Sequence, residues 1–122
     1  MADPDLSILV VTDDPALRLE LEYGVPAFMQ TEFARDAREA LEAMSKKTPS
    51  AVVVDLQTGS AGGYGLAREM GLDDRLAQIP IVILLERYQD AWLARQAGAR
   101  LHITKPINAS SLFEDLRELA SA

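Results

Sequence analysis

Three short pieces of this sequence carry groups suited to chemistry: Thr12-Asp13-Asp14, Asp55 and Lys105-Pro106. Asp13 and Asp55 are hard oxygen donors of the kind magnesium prefers. That ion keeps several of its waters, so two carboxylates with the backbone carbonyl of Gln57, or a water, would complete a site. Asp14 is first of all a helix cap and only secondarily a further ligand. Acids gathered in one crevice repel each other, and a bound cation is the simplest relief. Lys105 would bring a compact positive charge to phosphoryl oxygens. Asp55 would then serve as the nucleophile towards a phosphoryl donor, with the protein contributing mainly position and charge. The plainer reading is that Asp13 and Asp55 cap helices or line a solvated edge and that Lys105 is a solvated charge.

The elements that must position these groups are legible in the same stretches. Each piece follows a short run rich in Ile, Leu and Val: Leu6 to Val11, Ala51 to Val54 and Arg100 to Ile103. Such runs, each leading into helix-like sequence, read as buried parallel strands with crossover helices. The ends of parallel strands share one sheet edge, where ligands bind. The full pattern predicts strands over Leu6–Thr12, Thr31–Ala34, Ala51–Asp55, Ile79–Leu85 and Arg100–Thr104. It predicts helices over Pro15–Gly24, from Asp36 as cap to Lys46-Lys47, over Tyr64–Met70, Gln89–Ala97 and Ser110–Ala120. A glycine-rich loop, Gly59 to Gly63, lies between the third strand and the third helix; it lacks the Walker pattern and its lysine. Five strand–helix units with right-handed crossovers make a three-layer, doubly wound α/β domain.

Composition narrows the function. A chain of 122 residues with 48% apolar content suits a single domain with a proper core, and no linker to a second or output domain is visible. The net charge of −7, without a Lys/Arg cluster, argues against a nucleic-acid partner. With no cysteine, disulfide scaffolds and thiolate chemistry are excluded. No apolar stretch approaches the roughly 20 residues needed to cross a bilayer, and Met1–Asp5 has no signal-peptide character. A cytoplasmic protein without membrane contact is expected.

In order and spacing these strings resemble a response regulator receiver domain over essentially the whole chain. Ile8-Leu9-Val10-Val11 followed by acids is similar to the family's first strand, and Val52-Val53-Val54-Asp55-Leu56 to the strand ending at the phosphoacceptor. Gly63, eight residues past Asp55, falls where the family commonly has glycine. Ile79-Pro80-Ile81-Val82-Ile83-Leu84 is similar to the fourth strand, and Ala97-Gly98-Ala99 through Thr104-Lys105-Pro106-Ile107 to the family's ending, where the Lys-Pro bond is typically cis. The resemblance implies a flavodoxin-like five-stranded sheet in the order 2-1-3-4-5 and Mg2+ held through Asp13, Asp55 and the Gln57 carbonyl. It also implies Asp55 as phosphoacceptor and Lys105 on the phosphoryl group. Phosphorylation would come from a histidine kinase or phosphotransfer protein in two-component signalling, with no enzyme activity beyond self-phosphorylation and autodephosphorylation. The face of helix four, strand five and helix five, including Trp92, Arg95, Arg100, His102 and Asn108 to Glu118, would meet a downstream protein or a second copy.

The departures from the family pattern are chemically pointed. Aligned on Val10-Val11, the usual acidic pair is here Thr12-Asp13, which weakens the water-mediated part of the metal shell. The switch Ser or Thr at the end of strand four is Leu85, which cannot donate a hydrogen bond, and Glu86 follows where a small residue is usual. Glu86 would repel a phosphoryl dianion. His102 stands at the switch aromatic and reads as a half-buried strand residue, and Trp92 as a helix-packing residue. Gly59 replaces a common proline, and the segment from Leu85 to Lys105 is about two residues short, implying a trimmed fourth helix. Three readings follow: a stand-alone receiver, a pseudo-receiver that keeps the fold without phosphorylation switching, and a small flavin-binding or phosphatase-like enzyme on the same fold. The acidic Thr12-Asp13-Asp14-Pro15 turn opposes an FMN phosphate.

Overall fold

The structure is a computed structural model that describes residues 6–56 and 62–121. Five strands, β1 (Leu6–Val11), β2 (Met29–Ala34), β3 (Ala51–Asp55), β4 (Ile81–Leu85) and β5 (Leu101–Thr104), pair in parallel in the order β2-β1-β3-β4-β5. The helices between and after them are α1 (Pro15–Gly24), α2 (Ala37–Lys46), α3 (Gly62–Gly71), α4 (Ala91–Gln96) and α5 (Ala109–Ser121). This is the doubly wound architecture and strand order expected.

Alternation along the strands divides the core in two. Leu9, Val11, Val52, Val54, Ile83 and Leu85 pack with Ala40 and Met44 of α2, Leu66 and Met70 of α3, and Ala91 and Ala94 of α4. The intervening Ile8, Val10, Val53, Val82 and Leu84 pack on the other face with Leu17 and Leu21 of α1 and Leu112, Phe113 and Leu116 of α5. Strands β3 and β4 are buried along their whole length, as a central parallel sheet requires. No helix among the described residues is long and apolar enough to cross a membrane.

Local signals set the helix starts. Asp14 caps α1, its Oδ1 accepting from the Ala16 amide at 2.9 Å, with Pro15 in the first turn where a missing amide costs nothing. Asp36 caps α2 by accepting from the Glu39 amide at 2.9 Å, while the Glu39 carboxylate accepts from the Arg35 amide at 2.9 Å. Asn108 does the same for α5, its side chain accepting from the Ser111 amide at 2.9 Å, which is why that helix begins at Ala109.

Several boundaries differ from the sequence expectation. β1 ends at Val11, and Thr12 serves the loop instead. β2 begins at Met29, because Met29 and Gln30 pair with Leu6 and Ser7; its exposed Gln30 and Glu32 belong to an edge strand and obscure the apolar run. β4 begins at Ile81, since Pro80 has no amide to give the ladder. Tyr88–Asp90 form a 3-10 turn, leaving α4 only six residues long, in keeping with the shortened segment.

Candidate functional site

The parallel register brings the chemical groups to one edge. Val11 lies beside Val54, Asp55 beside Leu84, and Leu85 beside Thr104. Thr12, Asp55, Glu86 and Lys105 therefore leave the C-terminal ends of β1, β3, β4 and β5 on the same side of the sheet. The Thr12 amide donates to the Ala34 carbonyl at 2.9 Å and the Lys105 amide to the Leu85 carbonyl at 2.8 Å, which fixes the backbone from which each side chain starts.

Asp55 is the centre of a hydrogen-bonded group. Its side chain is 3% exposed, and Oδ2 accepts from Lys105 Nζ at 3.0 Å and from Thr12 Oγ1 at 3.1 Å. Lys105 Nζ also donates to Glu86 Oε2 at 2.7 Å. Thr12 Oγ1 in turn accepts from the Asp14 amide at 3.1 Å, so its own proton is directed at Asp55. Burial alone would lower the Lys105 pKa, but the hydrogen bonds to Glu86 and Asp55 and the charges of both carboxylates outweigh it and hold the ammonium above its ordinary range. Lys105 is thus a firmly protonated cation shared by two anions.

Asp13 sits exposed on the turn after β1, at the rim of a cleft of about 170 Å³ lined by Thr12, Asp13, Asp14, Pro15, Arg18 and Arg35. Asp14 has one carboxylate oxygen committed to capping α1. Among the described residues no group of three acidic, His or Cys side chains gathers to hold a metal. Magnesium does not need one, since one or two carboxylates with waters suffice, and the oxygen donors of Asp13 and Asp55 on one sheet edge fit it. Gln57 and Gly59–Ala61 lie outside the described residues.

The glycines at the start of α3 are not a free loop. The helix begins at Gly62, two residues before the expected Tyr64. Gly62 has φ +70°, a conformation glycine adopts without strain. A Cβ on Gly63 would collide with the Val54 side chain and stand 2.7 Å from the Asp55 carbonyl oxygen. The helix therefore approaches the end of β3 closely enough to require glycine there.

The remaining singled-out positions sort cleanly. Leu85 is wholly buried in the core on the α2–α4 side of the sheet, so it is a packing residue where a hydroxyl was the family expectation. His102 is half-buried on edge strand β5 opposite Ile83. Trp92 corrects the sequence reading: it was expected to pack the helix, yet it is 55% exposed, because Ala91 and Ala94 are the α4 residues that face the core. The Lys105–Pro106 peptide is cis. Sequence reasoning missed two contacts, the Thr12 hydroxyl on Asp55 and the Glu86 carboxylate on Lys105. The polar types at strand ends were visible, but their mutual distances were not.

A parallel sheet in this order, sandwiched by helices and carrying an acid–lysine pair at its C-terminal edge, defines a flavodoxin-like domain with a charged site at the edge where such sheets bind ligands. The family model of the response regulator receiver domain matches residues 8–117. The chain belongs to that family, whose place is in two-component signalling, and the flavin or phosphatase-like reading is set aside. The response regulator MprA of Mycolicibacterium vanbaalenii is 32% identical over 117 residues, covering 92% of this chain and 49% of that protein. The chain spans about half the length, or less, of the curated relatives it matches. Among solved structures, the signal receiver domain of a histidine kinase from Syntrophus aciditrophicus is 28% identical, with a TM-score of 0.86 over 95% of this chain and 90% of that one. The receiver domain of a sensor histidine kinase from Pseudomonas aeruginosa, crystallised with magnesium in its active-site cleft, has a TM-score of 0.86 at 20% identity, over 98% of this chain and 100% of that one.

Proposed function

We propose that Asp55 accepts a phosphoryl group from a histidine kinase or phosphotransfer protein and that the altered surface then engages a downstream protein. The observation that carries this reading is the buried Asp55 carboxylate with Lys105 Nζ 3.0 Å from its Oδ2 at the C-terminal edge of the sheet. In the step, a carboxylate oxygen of Asp55 attacks the donor phosphorus. The donor's P–N or P–O bond breaks, its electron pair leaves with the donor group, and an acyl phosphate remains. Lys105 supplies a positive charge where phosphoryl oxygens gather. Magnesium, held by Asp13, Asp55 and the Gln57 backbone carbonyl, would supply further neutralisation of those oxygens. The magnesium reported in the active-site cleft of the Pseudomonas aeruginosa receiver supports magnesium as the cation, and the choice of ligands is our own reading. Phosphoryl acceptance of this kind is the only chemistry we assign to the domain.

Output through α4, β5 and α5, to a target or a second copy, is supported by the exposed aromatics ahead of and on α4, Tyr88 at 75% and Trp92 at 55%. A second reading, a pseudo-receiver that holds the fold without switching, is favoured by one specific observation. Leu85 is fully buried and offers no hydroxyl to a phosphoryl group. Intact mass after incubation with acetyl phosphate and magnesium separates the two. The wild type is expected to gain one phosphoryl mass and Asp55→Asn none. An unchanged wild-type mass beside a responding control receiver would favour the pseudo-receiver.

A further inference from the structure

We propose that Glu86 is a resident anion on Lys105 that a phosphoryl group must displace, so that this one carboxylate sets how readily the site takes its anion. The inference rests on the acceptor reading of Asp55 and concerns the regulation of that same site. Glu86 Oε2 lies 2.7 Å from Lys105 Nζ and Asp55 Oδ2 3.0 Å, so Glu86 is in direct contact with the same ammonium that Asp55 uses. An ammonium has only three donors, and two already point at carboxylates. A phosphoryl dianion on Asp55 needs that same cation, and a carboxylate left in place would stand against it as a like charge.

The geometry also makes the carboxylate removable. The Glu86 backbone follows directly on Leu85, which is wholly buried, so its starting point is fixed. Its side chain is 50% exposed, whereas that of Lys105 is only 18% exposed. The ammonium is therefore held in the site, and the carboxylate is free to swing out into water. A half-exposed pair of this kind closes the site only part of the time, and apparent anion affinity falls by the fraction of time the site is open. The arrangement is an anion gate of one residue. Thr12 leaves Asp55 held in place while the gate moves, because its hydroxyl bond to Oδ2 does not involve Glu86.

The test is a titration with beryllium fluoride, an analogue of the phosphoryl group, in saturating magnesium, read by fluorine NMR. It compares the wild type with Glu86→Ala and Glu86→Gln. Both variants should bind the analogue about fivefold more tightly, the upper range for loss of one half-exposed ion-pair competitor. Their rates of mass gain from acetyl phosphate should rise in parallel. Magnesium affinity should stay within about twofold of wild type, and the melting temperature should fall by no more than about 4 °C, the equivalent of losing that one half-exposed pair; a merely structural role would lower stability without tightening analogue binding. Unchanged or weaker analogue binding in both variants, with wild-type Asp55 still phosphorylated, would overturn the gate and leave the acceptor reading standing. If neither the wild type nor the variants took up the analogue or a phosphoryl group, the acceptor reading would fall and the gate with it.

Discussion

Replacing Lys105 by Met tests the Asp55–Lys105 pair with little change in side-chain volume. The substitution removes the ammonium 3.0 Å from a carboxylate that is 3% exposed. Breaking a wholly buried pair costs about 3–5 kcal/mol, because a buried charge loses its partner. An exposed pair is worth about 0–1 kcal/mol. Lys105 is 18% exposed and Asp55 keeps the Thr12 hydroxyl, so the expected loss lies between these limits, at about 2–3 kcal/mol. For 122 residues the unfolding entropy is about 0.26 kcal/mol/K, which converts that loss into a melting-temperature drop of about 8–12 °C. Calorimetry at pH 7 measures it directly.

The pH dependence has a definite sign. Folding raises the Lys105 pKa, so its stabilisation is fully present below the ordinary lysine value of about 10.4 and is lost as pH rises through the higher folded value. The gap between wild type and Lys105→Met should therefore be constant from neutrality to about pH 10 and close only in more alkaline solution. A melting temperature for Lys105→Met within about 2 °C of wild type would refute the pairing argument. So would a double-mutant cycle with Asp55→Asn giving a coupling below about 0.5 kcal/mol.

Two further outcomes follow from the same geometry. Gly63→Ala should cost about 1–3 kcal/mol in chemical denaturation, because the new methyl meets Val54 and the Asp55 carbonyl; wild-type stability would show that α3 does not press on β3 as described. Leu85→Thr should destabilise by about 2–3 kcal/mol, since it trades buried apolar volume for a buried hydroxyl. It should also enlarge the amide-shift response of Glu86–Gln96 to beryllium fluoride with magnesium; a response no larger than wild type would show that the missing hydroxyl does not limit switching.

Much of the architecture could be read in advance because buried parallel strands are short continuous apolar runs, and β1, β3 and β4 are of that kind. Asp14 and Asp36 were legible as caps because capping depends on residues two or three places away. The start of β2 was not, since an edge strand alternates with solvent-facing Gln30 and Glu32. Trp92 was misassigned because a six-residue helix has too few turns to show which stripe faces inward.

The convergence of Asp55 and Lys105 followed from residue types and strand ends, although 50 positions separate them. A parallel sheet gathers its strand ends at one edge whatever the details, so the meeting of these two residues could be read from the chain. The partners within it were decided only in three dimensions. That Thr12 turns its hydroxyl to Asp55, and that Glu86 reaches Lys105 across 19 residues, depends on register and side-chain rotamer. Hydrogen bonds form or fail within a few tenths of an ångström, and no local pattern of residue types carries distances that fine.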